Sequence, residues 1–209
     1  MIGCSAPPHL AKGLYEMKIF RLTFALCAAL PILGVVIGDN LARAEVQKFL
    51  NPCGSQKMCA SYRLVLTPPD GWVLDKDATA SNNVQMLVPK GKTFANAEPL
   101  IYVQVFYHRD KQQTLADFAR VSNENWKQEN PSAKISDLPA VERANGKAGF
   151  LRFAFENPKK PQQAYEVGAF GVDSDNDGNE FMLDVVMSAS SKQALDRTEE
   201  TYVAFLKAN

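Results

Sequence analysis

The chain has 209 residues, of which 46% are hydrophobic and 22% are charged. This composition is typical of a globular protein with an apolar core, and the length suits one ordinary domain or two small ones. Basic and acidic residues both number 23, so the formal net charge is zero. A balanced charge offers no basic surface for the phosphate backbone, and we therefore expect no nucleic-acid partner.

The first 44 residues have the pattern of an export signal. A short basic start at Met17 precedes an almost wholly apolar run from Leu22 to Gly38, and Ala42-Arg43-Ala44 supplies a cleavage pattern. This order of features predicts a signal peptide over residues 1–44. Residues 1–16 fit neither a signal nor a domain, which indicates an upstream-start artefact with Met17 as the true start.

The alternative is that the apolar run is kept as a membrane anchor. The run is at the short edge of what spans a bilayer, and Pro31 interrupts it, so cleavage is favoured. Cleavage after Ala44 removes four basic and two acidic residues and leaves 19 and 21, a net charge of −2. We therefore expect a periplasmic or secreted protein that has no stable membrane span after cleavage.

Two cysteines, Cys53 and Cys59, lie in the N-terminal segment 45–61 of the mature chain. An oxidising compartment and this close spacing favour a disulfide, which would attach the N-terminal segment to the first strand. The alternatives are a redox pair and a metal site. C-x-x-C spacing is absent, and His108 is the single histidine left to complete a metal site, so the disulfide is preferred.

Turn signals and hydrophobic periodicity predict one α+β domain over residues 62–209. A capping box at Thr114 opens a helix that ends at Asn130, and Ser190 or Ser191 caps a final helix. The last four strands are joined by hairpin-type connections, which predicts a mostly antiparallel sheet of about six or seven strands. Several strands lack clean alternation, so we expect helices packed on both faces, an α/β/α sandwich. The predicted strands cover 62–66, an extended segment from Trp72, 84–88, 100–107, 134–144, 148–156, 164–172 and 180–188.

The order of these elements resembles the PsbP / Mog1 / DcrB-like superfamily from Tyr62 to the C-terminus. The likeness rests on Pro68-Pro69-Asp70-Gly71-Trp72 after a strand, on Val88-Pro89 at the end of the next strand, and on Thr114-Leu115-Ala116-Asp117-Phe118 opening a helix. The resemblance implies a central antiparallel sheet between helices. It also implies a protein that binds other proteins or assists assembly, with no shared catalytic residues to carry over.

Three carboxylates, Asp173, Asp175 and Asp177, precede Gly178 in a pattern that matches the start of an EF-hand calcium loop. Strands are predicted on both sides, however, so Asp184 at the twelfth position is expected over roughly 10 Å away. A looser calcium site is therefore one interpretation. The other is a plain hairpin turn, in which Asp and Asn side chains bond their own backbone.

Catalytic motifs are missing from the sequence. Neither G-x-S-x-G, H-E-x-x-H nor a phosphate-binding glycine loop occurs, and His108 is expected to face solvent at a strand end. No catalytic or cofactor-binding residue is therefore predicted, and the balance favours a protein without enzymatic activity.

Our functional hypothesis is an exported, non-enzymatic protein that binds a protein partner in the cell envelope or assists envelope assembly. One alternative is a small-molecule or calcium-binding periplasmic module that uses the acidic hairpin Asp173–Gly178. Another is a hydrolase with dispersed acidic residues, which a cluster of perturbed carboxylates in a deep pocket would favour.

Overall fold

The described chain begins with a two-stranded antiparallel hairpin. The computed structural model describes residues 46–52, 57–109, 112–144 and 146–209, all within one compact unit. Val46–Pro52 (β1) pairs with Met58–Leu64 (β2), and Val46 lies opposite Leu64. Both of these residues are buried in the main core, so one end of the hairpin is attached to the domain. The residues predicted as the first sheet strand, 62–66, fall partly in this hairpin instead.

A seven-stranded antiparallel sheet forms the centre of the domain and confirms the predicted α+β class. The sheet runs from the short edge strand β3 to the edge strand β6, and the two ten-residue strands β8 and β9 pair side by side. Across the sheet the strands are Trp72–Leu74 (β3), Gln85–Pro89 (β4), Leu100–Tyr107 (β5), Glu180–Ala189 (β9), Tyr165–Ser174 (β8), Phe150–Glu156 (β7) and Lys134–Val141 (β6).

Three α-helices accompany the sheet, where two were predicted. Lys76–Asn82 (α1) was missed, because a seven-residue helix shows too few turns for a periodic pattern; Asp75 caps it by accepting a hydrogen bond from the Ala78 amide. Leu115–Glu129 (α2) and Lys192–Ala208 (α3) agree with the prediction. A 3-10 turn at Pro161–Gln163 precedes β8. Within the part of the chain that the structure describes, no helix is long and apolar enough to cross a membrane.

The predicted capping box of α2 is present. The Thr114 hydroxyl oxygen accepts from the Asp117 amide at 3.1 Å, and the Asp117 carboxylate accepts from the Thr114 amide at 3.4 Å. These two bonds satisfy backbone donors that the first turn of any helix leaves without a partner. They fix where α2 starts, and therefore which of its side chains meet the sheet.

Helix α3 packs on the core side of β9. The buried cluster includes Phe181, Leu183, Val185 and Met187 of β9, which alternate along the strand. Tyr202 of α3 is fully buried among them, and its hydroxyl lies 2.7 Å from the Val185 carbonyl oxygen and 3.1 Å from that of Val167 in β8. This tyrosine therefore ties the last helix to the two longest strands.

The outer edge of β6 is irregular. The pairing of β6 with β7 shifts between Leu138 and Val141, and Pro139 lies in this bulge without an amide hydrogen to donate. Lys134 and Asp137 are exposed along the same strand. A bulge, a proline and charged residues are features that discourage another strand from pairing at an edge.

Tyr202→Phe should lower the free energy of unfolding by about 1–2 kcal/mol, because it removes a buried hydroxyl that bonds to the sheet and leaves the packing nearly unchanged. Urea unfolding of the variant and the parent measures the difference. Tyr107→Phe is the control, since Tyr107 is 44% exposed and should cost almost nothing. Equal effects of the two substitutions would contradict the structural role of the Tyr202 hydroxyl.

Candidate functional site

Two carboxylates lie beneath α2 in one small cavity. Glu166 belongs to β8 and Asp184 to β9, and the register places Glu166 opposite Ser188 and Asp184 opposite Phe170. The cavity has a volume of about 70 Å³. It is lined by Tyr102, Ser122, Asn123, Trp126, Phe155, Glu166, Phe170, Asp184 and Val186.

Aromatic packing closes one side of this cavity. The Trp126 ring of α2 lies 4.8 Å from the Phe155 ring, centroid to centroid. The Phe155 ring rests on Gly168, where a Cβ would lie only 2.9 Å from a ring carbon. Gly168 stands between Glu166 and Phe170 on the cavity side of β8, because alternate residues of a strand share a face. A residue with a side chain at position 168 would displace the ring and alter the cavity.

The acidic groups in the cavity resist ionisation. Burial raises the pKa of Asp184 to about 7, and the nearby negative charge of Glu166 adds to the shift. Burial also raises the pKa of Glu166, against the opposing effects of the Ser188 hydroxyl and the Lys160 charge. The pKa of the Tyr102 hydroxyl is raised by burial first and by the two carboxylates next. Among the described residues, neither carboxylate forms a salt bridge with a lysine or arginine.

Two buried oxygens in the cavity wall have no hydrogen-bond partner. They are Asp184 Oδ1 and Asn123 Oδ1. Buried acceptors are nearly always satisfied in proteins, and each specific exception calls for an explanation such as a bound ion or water. The carboxylate pair and these oxygens together make the cavity beneath α2 the strongest candidate site in the described chain.

The sequence carries a signal for this site that lies outside any motif. Asp184 interrupts the apolar run Phe181-Met182-Leu183-Asp184-Val185-Val186-Met187, and Glu166 precedes a run of buried residues in β8. A charged residue inside an otherwise apolar central strand is expected to be buried. The EF-hand pattern drew attention to Asp184 only as the last ligand of a calcium loop, and it does not include Glu166. Which partner each carboxylate meets depends on the register of β8 with β9.

Asp184→Asn should stabilise the protein at pH 8 by about 2–4 kcal/mol in buffer that contains a chelator. The pKa of Asp184 rises from 3.8 to about 7 on folding, so the native state holds a proton that the unfolded state has lost. The stability of the parent therefore falls as the pH rises from about 4 to about 7, whereas the amide does not titrate.

Urea unfolding at pH 4 and pH 8 tests this prediction, because the two proteins should differ mainly at pH 8. Asp177→Asn serves as the control, since Asp177 is exposed and its substitution should change stability by less than about 0.5 kcal/mol at both pH values. A difference between parent and Asp184→Asn that does not vary with pH would contradict the assignment.

The acidic hairpin, the predicted calcium site, holds its carboxylates in other contacts. Asp173 is buried and lies 2.7 Å from the Arg143 guanidinium and 2.8 Å from Lys147 Nζ. Asp175 Oδ1 accepts from the amides of Asp177 and Asn179, both at 2.9 Å. These contacts are those of a hairpin turn in which side chains bond the local backbone.

The calcium hypothesis for Asp173, Asp175 and Asp177 stays a prediction. Across residues 46–52, 57–109, 112–144 and 146–209, no three His, Cys, Asp or Glu side chains come close enough together to hold a metal ion. Asp184 lies inside β9, away from the hairpin loop, as its twelfth position in an extended segment predicted.

Arg143 and Asp173 form a buried ion pair, with side chains 0% and 1% exposed. Arg143 also donates to the carbonyl oxygens of Val172 and Asn209, which joins the segment after β6, the end of β8 and the end of α3. A buried charge that keeps several partners is tolerated, but loss of one partner leaves an uncompensated charge.

Asp173→Asn should therefore destabilise the protein by about 3 kcal/mol, because it removes the carboxylate charge that lies 2.7 Å from the buried Arg143 guanidinium. Lys147→Met is the control: Lys147 is 23% exposed, and its removal leaves the central pair in place, so we expect a loss below about 1 kcal/mol. Guanidinium-induced unfolding compares the two variants. The assignment fails if Lys147→Met costs as much as Asp173→Asn.

The expectation that His108 faces solvent is wrong. Its side chain is 8% exposed, Nε2 lies 2.9 Å from the Gln113 carbonyl oxygen, and Nδ1 lies 3.6 Å from the Glu180 carboxylate. The contact with Gln113, five residues further along the chain, is one that a strand-end position in the sequence does not reveal. These contacts give His108 a structural explanation.

Cys59 lies in β2 opposite Asn51. Cys53 and the predicted signal peptide, residues 1–44, lie outside the described residues. The Cys53–Cys59 disulfide and the export signal therefore stay predictions.

An apolar surface is exposed on the outer part of the β1–β2 hairpin. Leu50 lies opposite Ala60, and Met58 shares their face two residues earlier. Leu50 is 61% exposed and Met58 60%. We call Leu50, Met58 and Ala60 the hairpin face; Tyr62, next on the same side of the hairpin, packs against Tyr107 and Phe181.

A groove of about 310 Å³ adjoins the hairpin face. It lies between β2, the end of α1 and the half of β5 that β4 does not reach, since the pairing of β4 with β5 ends at Gln85 and Val103. From Gln104 to Tyr107, β9 is the strand of the described chain that pairs with β5. The groove is lined by Ala60, Ser61, Tyr62, Arg63, Asn82, Asn83, Val84, Gln85, Val103, Gln104, Val105 and Phe106.

No family model matches the chain, and no curated protein matches it. The resemblance to the PsbP / Mog1 / DcrB-like superfamily is neither supported nor contradicted by these comparisons.

Proposed function

We propose that this is an exported, non-enzymatic protein that binds a protein partner in the cell envelope. The partner would contribute an extended, apolar segment that lies in the groove beside β5 and contacts the hairpin face. The observation that carries the proposal is the open edge of β5, in the described chain, next to exposed apolar side chains.

The hairpin face supports a protein partner because its exposed side chains are apolar and adjacent. Val46 and Leu64 at the base of the same hairpin are buried, whereas Leu50 and Met58 near its far end are about 60% exposed. Exposed apolar residues that stand alone are ordinary, but a contiguous group on one face is typical of an interaction surface.

The edge of β5 supports an extended segment as the part that binds. The His108 amide donates to the Glu180 carbonyl, so even-numbered residues of β5 bond to β9. The amide and carbonyl of Val105 therefore point to the other side, into the groove. A partner strand that pairs there would satisfy them, which is the β-addition mode of peptide recognition.

The wider fold proposal is a three-layer α/β/α sandwich of the PsbP / Mog1-like type. Odd-numbered residues of β9 share the core with α3, while Asp184 and Val186 line a cavity with α2. Because neighbouring residues of a strand point to opposite faces, this division supports one helix on each face.

A hydrolase with dispersed acids receives less support. Glu166 and Asp184 are clustered and have raised pKa values, as that hypothesis requires. Their cavity of about 70 Å³ is well below the roughly 300 Å³ at which sites for small organic ligands begin.

Leu50→Glu/Met58→Glu should abolish partner binding, because charged side chains would have to be buried in the interface. The measurement is quantitative affinity purification with crosslinking from the envelope fraction of the source cell, comparing the parent, this double variant and Phe94→Glu. Phe94 is 40% exposed in the connection between β4 and β5 and is the matched control.

The proposal is supported if one protein is enriched by the parent and by Phe94→Glu but not by the double variant. A protein enriched equally by all three would show that the surface is wrong. Absence of any enriched protein would contradict the function itself. Sedimentation of the purified chain identifies the remaining occupant, a second copy, which would appear as a dimer that the double variant loses.

A further inference from the structure

We propose that the segment bound in the groove beside β5 is acidic as well as apolar. It would be an extended polypeptide in which aspartate or glutamate side chains accompany the apolar residues that contact the hairpin face. Lys48 and Arg63 are the residues of this chain that would recognise its carboxylates. This inference rests on the proposed function and names the chemistry of the partner.

Charge is unevenly distributed along the sequence. Residues 46–69, which include the β1–β2 hairpin, contain Lys48, Lys57 and Arg63 and neither aspartate nor glutamate. Residues 70–209 contain 16 basic and 20 acidic residues. The hairpin segment therefore has a net charge of +3, and the remainder of the domain has a net charge of −4. A cationic surface of this kind favours an anionic partner, because complementary charges speed association and exclude partners of the same sign.

Lys48 lies on the same side of the hairpin as the hairpin face. It is opposite Tyr62 in the register and two residues before Leu50. Alternate residues of a strand point to one side, and so do residues directly opposite each other on paired strands, so Lys48 and Leu50 share a side. Lys48 is exposed. A segment that lies against the hairpin face therefore meets an ammonium group next to apolar side chains.

Arg63 supplies the charge of the groove. Within the described chain, it is the one residue of the groove lining whose side chain is charged. The guanidinium carbon lies 5.0 Å from the centre of the Phe49 ring, a cation–π contact that orients the group and leaves its charge in place. Neither Arg63 nor Lys48 forms a salt bridge with a residue that the structure describes. Carboxylates of a bound segment would therefore have two cations with which to pair.

The backbone that borders the groove favours a polypeptide over an anionic lipid surface. The pairing of β5 with β9 leaves the amide and carbonyl of Val105 directed into the groove. An extended polypeptide offers a matching row of donors and acceptors, whereas lipid acyl chains offer none. A strand also alternates its side chains, so one segment can present apolar groups on one side and carboxylates on the other.

The experiment selects ligands for the immobilised mature chain from a phage-displayed library of short random peptides. We expect the enriched peptides to contain more aspartate and glutamate than lysine and arginine, together with apolar residues at alternate positions. The best acidic peptide is then synthesised with a fluorescent label, and its dissociation constant is measured by fluorescence anisotropy. Its affinity should fall as NaCl is added, because salt screens exposed charges.

Charge reversal locates the interaction. Lys48→Glu and Arg63→Glu should each raise the dissociation constant of the acidic peptide by about 3- to 10-fold, because each replaces an attraction near the surface with a repulsion. Lys134→Glu is the matched control, since Lys134 is exposed on β6 at the far edge of the sheet; its effect should stay within about twofold. Thermal melting checks that each variant folds, and the exposed position of Lys48 keeps the test valid even if Arg63→Glu unfolds.

The outcomes separate this inference from the proposed function. Enriched peptides without an acidic bias, or an equal loss of affinity in all three variants, would overturn the inference and leave the protein as a peptide binder. A library that yields no enriched peptide would contradict the proposed function and the inference together. Sedimentation with phosphatidylglycerol vesicles tests the other anionic partner. If the parent binds these vesicles and no acidic peptide is enriched, the hairpin contacts a lipid surface and the inference is wrong.

Discussion

The pairing of β8 with β9 is the interaction on which the rest of the structure depends. Its register extends from Tyr165 opposite Ala189 to Ser174 opposite Glu180 without a shift. One side of this pair carries Leu183 and Val185, which bury Tyr202 and attach α3. The other side carries Asp184 and Val186, which line the cavity. Because the side chains of a strand alternate, a slip of one residue would send Asp184 into the apolar core and Leu183 into the polar cavity.

The two buried carboxylates of the cavity have a cost in stability. Raised pKa values mean that the folded protein disfavours the ionised acids, so the pair lowers stability at neutral pH. Groups of this kind are concentrated at functional sites in proteins. Arg143 and Asp173 show the contrasting arrangement, in which a buried acid has its cation within 2.7 Å. Asp173 thus differs from the cavity acids Asp184 and Glu166 in one respect. Asp173 contacts a cationic side chain, whereas the cavity acids form no salt bridge with a lysine or arginine of the described chain.

Much of the fold could be predicted because it depends on local patterns. The β5 strand was predicted with its observed bounds, 100–107, since its apolar run is continuous, and α2 follows from the Thr114 capping box. The β1–β2 hairpin and α1 were missed, because a short polar helix and a strand near the predicted cleavage site carry weak periodic signals.

The candidate site was harder to predict, because it depends on contacts between distant parts of the chain. Asp184 and Glu166 are 18 positions apart in the sequence, and a hairpin register that composition does not determine puts both on the face of the sheet that lines one cavity. The sequence drew attention to Asp184 only as the twelfth position of a loop motif, and it indicated correctly that Asp184 lies away from that loop, but not which residues surround it. His108 was misplaced for a similar reason, since the segment that covers it lies beyond the strand that holds it.

The irregular edge of β6 has a consequence for how the protein behaves among other chains. At that end of the sheet, Pro139 and the bulge remove the regular row of donors and acceptors that a foreign strand would use as a template. At the opposite end, β3 is only three residues long and offers little more. Pairing with strands of other chains is thus discouraged at both edges of the sheet. Beyond Val103, where its pairing with β4 ends, β5 has one edge to which no strand of the described chain pairs. The strand of the proposed partner would have to be short to pair there, so the length of a segment, as well as its sequence, would be a basis for selection.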